Sequence, residues 1–74
     1  MRVSKVVLEE THYKSSGDYA ERTAVSKLED LGRERYHADA YELISLSSRD
    51  ESGRGEYDLP SYGATARGIF YKRD

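Results

Sequence analysis

Cysteine and tryptophan are absent from this chain, proline and phenylalanine occur once each, and the longest strongly apolar run is Val6-Val7-Leu8. Without cysteine there is no disulfide staple and no thiolate ligand for a metal, and a reducing compartment is the natural expectation. A three-residue apolar run is far short of a membrane span or a signal-peptide core. The chain therefore reads as soluble, cytoplasmic and without a membrane partner. Charge of one sign is also missing: 12 basic and 14 acidic residues are interspersed and leave a net charge of −2. That balance removes the self-repulsion that holds disordered chains open. It also removes the basic excess on which phosphate-driven nucleic-acid binding depends.

Core material is scarce. Four valines, six leucines, two isoleucines and the single phenylalanine make about 18% of the residues, below the roughly 20% at which disorder becomes a serious prior. What the chain has instead is tyrosine, seven of its eight aromatic residues, together with eight arginines. Both residue types combine a large contact area with a polar tip and are over-represented at protein interfaces. Either the tyrosine rings fill the core, or a second protomer supplies what is lacking.

Punctuation along the chain predicts four elements. Arg2 to about Thr11, with Val3, Val6, Val7 and Leu8, has the β-branched content of a strand. Ser15-Ser16-Gly17-Asp18 breaks it, and Asp18 with Glu21 resembles a capping box at a helix start. From Tyr19 to Leu31 the apolar residues Ala20, Ala24, Leu28 and Leu31 recur at helical spacing, widened by Val25. Gly32 stands where a left-handed residue would end that helix. Ala40 to about Ser48 reads as a second strand. Residues 47–63 form a long polar loop, with Gly53, Gly55, Pro60 and Gly63 in it. Ala64 to Lys72 reads as a third strand.

The expected fold is one α+β domain over residues 1–74, a β-α-β-β unit with a mixed three-stranded sheet and one helix packed on one face. A right-handed crossover sets the first two strands parallel, and the third lies antiparallel to the second or between the two. Val6-Val7-Leu8, Leu43-Ile44 and Ile69-Phe70-Tyr71 put apolar groups on both faces of every strand, while one helix covers one face. A homodimer or higher oligomer, joined sheet to sheet or along sheet edges, is the economical cover for the rest.

Three segments together resemble a known family. Leu28-Glu29-Asp30-Leu31-Gly32, Tyr41-Glu42-Leu43-Ile44-Ser45 and Ile69-Phe70-Tyr71-Lys72-Arg73 are similar to a small bacterial and phage domain of unknown function. Its pattern reads Leu-Asn-Glu-Leu-Gly, then Gly-Trp-Glu-Leu-Val-Ser, then Phe-Lys-Arg. Val6-Val7 matches its opening strand, Tyr41 replaces its Trp, and Ala40 replaces its Gly. The resemblance implies a β-α-β-β fold in a bacterial or phage-infected cell and no established activity.

No residue set amounts to a catalytic mechanism. Nine serines and two histidines are present, but no serine sits in a Gly-x-Ser-x-Gly turn, so no catalytic residue is assigned and an enzyme is not expected. Glu10 and His12 share a strand face without a third ligand nearby in sequence, so neither a metal nor any other cofactor is assigned. Ser52-Gly53-Arg54-Gly55 could form an anion nest, although Asp50, Glu51, Glu56 and Asp58 crowd it with like charge.

The candidate partner-binding residues are Tyr57, Leu59, Tyr62, Arg49 and Arg54, in or beside the long loop. Its acidic residues favour a basic protein partner, and its tyrosines either dock on that partner or patch the small core. Arg67, Tyr71 and Arg73 alternate on one face of the last strand and are the candidate ligand or nucleic-acid face, nucleic acid being disfavoured by the net charge. These features predict a small non-enzymatic protein-binding module, an accessory or inhibitory factor acting on a partner's surface. The alternative is an oligomer that binds or sequesters a nucleotide-like anion in a Tyr/Arg-lined pocket between protomers.

Overall fold

Ala20, Ala24, Leu28 and Gly32 recur every four residues, and all four are buried. They form the stripe by which helix α1 (Gly17–Arg35) lies on a three-stranded sheet. The computed structural model describes residues 2–51 and 61–73. In it β1 (Val3–Lys14), α1, β2 (Ala40–Asp50) and β3 (Tyr62–Arg73) follow one another in the chain. This is the expected α+β, β-α-β-β arrangement.

The strand order is β1-β3-β2, and both hydrogen-bonded pairs are antiparallel. The sheet is therefore antiparallel throughout rather than mixed. β1 and β2 do run in the same direction, because each is antiparallel to β3, but β3 separates them. The sequence left this placement open, and side-chain size explains it. The middle of the sheet carries the helix, and β3 is the strand with small residues on that face. Ala64, Ala66 and Gly68 let the helix approach, with Phe70 as the one large residue at the far end.

The buried core comprises Leu8, Ala20, Ala24, Leu28, Ala64, Ala66 and Phe70, with Val6, Val25, Leu31, Ala38 and Tyr62 packed around it. Consecutive strand residues face opposite ways, so the apolar runs divide. Leu8 is buried under the helix while Val7, one position earlier, is 51% exposed. The face of the sheet away from α1 is covered by no described element.

Four boundaries differ from the sequence reading. β1 runs on to Lys14 instead of ending near Thr11, because its ladder with β3 continues to Lys14 opposite Tyr62. The helix begins earlier: Ser16 is its N-cap, with its side chain accepting a hydrogen bond from the Tyr19 amide at 3.2 Å. Asp18 and Glu21 therefore do not make the capping box; Asp18 lies in the first turn, where its charge suits the helix dipole. Gly32 does not end the helix. It is an internal, buried position beneath which Phe70 sits, and the helix continues for three more residues. The left-handed residue after the helix is His37, at φ 53°, and the Ala38 amide returns to the Gly32 carbonyl at 3.0 Å. Finally, the long loop is shorter at both ends than 47–63. Ser47 to Asp50 pair with Thr65 to Tyr62, because the β2–β3 ladder continues past the last large apolar residue, on backbone bonds.

Candidate interaction surface

At the loop end of the sheet, Tyr13 on β1 and Arg49 on β2 lie on either side of Gly63 on β3. Gly63 is what brings them together: a methyl added there would lie 2.8 Å from Tyr13 Cε1 and 3.4 Å from Arg49 Cζ. The Arg49 guanidinium lies over the Tyr13 ring, 5.9 Å from its centroid, and its Nη2 donates to the Tyr13 hydroxyl at 3.3 Å. Arg49 Nε donates to Glu51 at 2.8 Å, and this bond holds the guanidinium pKa above its ordinary value. Tyr13 remains 53% exposed. The result is an aromatic platform with a cation across it, on the face away from α1.

Along the same face the cross-strand rows are polar at the centre and apolar toward the far end. Thr11 and Thr65 share a hydroxyl hydrogen bond of 2.9 Å, and Arg67 pairs with Glu9 at 3.4 Å. Val7 lies opposite Ile69, and Lys5 opposite Tyr71. The structure thus brings Arg67, Tyr71 and Arg73 onto one face, as their spacing predicts. Arg67 is engaged by Glu9, and the Arg73 amide donates to Asp39 at 2.7 Å.

A second surface lies on the other side of the sheet, between α1 and β2. The helix sits over β3 and β1 and reaches β2 less. A groove of about 550 Å³ is left, lined by Asp18, Glu21, Arg22, Val25, Ser26, Glu29 and Leu46. Two side-chain hydrogen bonds tie α1 to β2 beside it. The Ser48 hydroxyl donates to Glu21 at 2.9 Å, and the Tyr41 hydroxyl donates to Glu29. The Tyr41 ring stacks on Phe70, with centroids 5.1 Å apart and planes 12° from parallel. The bond to Glu29, then burial, then the Glu29 charge raise the Tyr41 pKa above 10.0.

Of the sequence-derived partner residues, Arg49 belongs to the platform described above. Tyr62 opens β3 and packs against the core while remaining partly exposed. Tyr57, Leu59 and Arg54 lie outside the described residues, as does the Ser52–Gly55 nest. Glu10 and His12 do meet, at 3.3 Å, but no third His, Asp or Glu joins them among the described residues. The Tyr13–Arg49 pairing was not legible in sequence, because its members are 36 positions apart. No helix among the described residues is long and apolar enough to cross a membrane. No family model matches the chain, and no curated protein or solved structure matches it either.

Proposed function

We propose that this chain is a small non-enzymatic protein-binding module that acts by occupying a partner protein's surface, as an accessory or inhibitory factor of a bacterium or its phage. The observation that carries the reading is the direction of its apolar side chains. Among the described residues the buried core is seven residues, four of them alanine, while nine large hydrophobic or tyrosine side chains are 37–53% exposed. A monomer has no use for so much outward apolar surface, whereas an interface is built from it. The Tyr13–Arg49 platform supplies the two residue types that most often anchor such contacts. A protein partner suits this surface better than a free anion, since Arg49 and Arg67 are already engaged by Glu51 and Glu9. The bacterial or phage setting rests on the sequence resemblance alone.

The test is retention from a bacterial lysate on the immobilised chain, with the double variant Tyr13→Ala/Arg49→Ala as comparison. A protein retained by the native chain and lost with a variant of unchanged melting temperature supports the reading. Equal retention by both, or binding of nucleic acid alone in a low-salt mobility shift, overturns it.

A further inference from the structure

β2 is an edge strand in which all eleven residues are exposed, including Tyr41, Leu43, Ile44 and Leu46 at 37–50%. We infer that this edge is a self-association site, where β2 pairs antiparallel with β2 of a second copy to make a continuous six-stranded sheet.

Edge strands offer a row of unpaired amides and carbonyls, and proteins guard them with charge, proline or bulges. The two edges of this sheet are guarded very differently. β1 carries Lys5, Glu9, Glu10 and Lys14 along its length. β2 holds six consecutive uncharged residues, Leu43-Ile44-Ser45-Leu46-Ser47-Ser48, with no proline and no glycine. Such a segment has the composition that favours strand addition. β2 has one irregularity, a register shift between Leu43 and Ser45 that passes over Ile44. The residue placed there, Ile44, is apolar and 50% exposed, so this irregularity adds no charge to the edge.

The charges that flank the segment select the occupant and its direction. Glu42 precedes it and Arg49 follows it. Glu42 pairs with Ile69 and Arg49 with Gly63, so both project from the face away from α1. Antiparallel pairing of the segment with its own copy brings Glu42 of each chain beside Arg49 of the other. Parallel pairing would set like charge on like. A two-fold axis of this kind is also the commonest symmetry of small homodimers. It leaves both helices on one face and turns the groove over Leu46 and Val25 into the floor between them. The Tyr13 ring stays open on the opposite face, but Arg49 serves both surfaces, so Tyr13→Ala alone separates loss of the partner surface from loss of the dimer.

Static light scattering of the full chain between about 1 and about 200 μM should show the 8.5 kDa chain doubling in mass with concentration. Ile44→Lys puts a charge inside the otherwise uncharged paired run and should weaken the dimer at least about tenfold. Val7→Lys, on the face away from the helix, should leave it unchanged, with circular dichroism confirming that both variants fold. On the native chain, hydrogen exchange should slow with rising concentration at the β2 amides that do not bond to β3, and not along β1. A native monomer throughout the range overturns the inference. So does dissociation by Val7→Lys with Ile44→Lys still dimeric, or concentration-dependent protection confined to β1.

Discussion

Gly32 lies directly over the Phe70 ring: a methyl group at Gly32 would fall 2.0 Å from Phe70 Cε1 and 2.3 Å from Cδ1. A glycine in the interior of a helix costs roughly 1 kcal/mol relative to alanine, and here it is retained because the ring takes the space. Phe70 is 2% exposed and stacks on Tyr41, so moving the ring aside disturbs that stack. Gly32→Ala should therefore destabilise the fold by about 1–3 kcal/mol despite its better helix propensity. A urea melt gives the answer, and a gain in stability would show that the ring can shift.

His37 takes the left-handed conformation that ends the helix, at φ 53°. A side chain there carries a steric cost of about 1–2 kcal/mol that glycine does not. Part of that gain is returned through the greater freedom of glycine in the unfolded chain. His37→Gly should raise the stability by about 0.5–1 kcal/mol, read as a higher denaturation midpoint at an unchanged denaturant slope.

Tyr41 gives the fold a dependence on alkaline pH. Its pKa is raised above 10.0 in the folded state by the hydrogen bond to Glu29, then by burial and the Glu29 charge. The folded state thus holds the phenol proton more tightly than the unfolded state. The stabilisation is fully present below pH 10 and is lost as pH rises through the raised value. Tyr41→Phe should flatten this alkaline loss. Near neutral pH it should cost less than about 1 kcal/mol, because the hydroxyl is exposed and the stacked ring is kept. Chemical denaturation at several pH values above 9 compares the two chains.

Tyr62 separates packing from partner contact. It packs against the core cluster at the start of β3, so Tyr62→Ala should lower stability by about 1–2 kcal/mol, less than a fully buried aromatic would. Tyr13→Ala, at a side chain 53% exposed, should change the melting temperature little. Thermal melts of both variants make the comparison, and equal losses would count against Tyr13 being free for a partner.

The order of elements was legible in sequence because each signal is local. The every-fourth-residue stripe from Ala20 to Leu28, the β-branched cluster at Val3–Leu8 and the break at Ser15-Ser16 involve neighbours a few positions apart, although Gly17 and Asp18, read as part of that break, already belong to the helix. The misplaced helix end shows the limit of such signals. Gly32 looks like a stop because glycine usually is one, and only Phe70, 38 positions later, reveals it as a notch. The β2–β3 ladder likewise outran the apolar pattern, since backbone hydrogen bonds need no large side chain.

By itself the sequence determined an α+β chain of one helix and three strands, with too little core and an excess of tyrosine and arginine. The uncharged run from Leu43 to Ser48 gained its meaning only from the fold, which makes this run an edge. Only the tertiary structure decided that β3 stands between the other two strands, because that depends on which strand can offer small residues to the helix. The same decision put β2 at the edge, placed Glu42 and Arg49 on one face, and brought Tyr13 to Arg49 across Gly63. Relations of this kind join residues tens of positions apart, and strand order alone creates them.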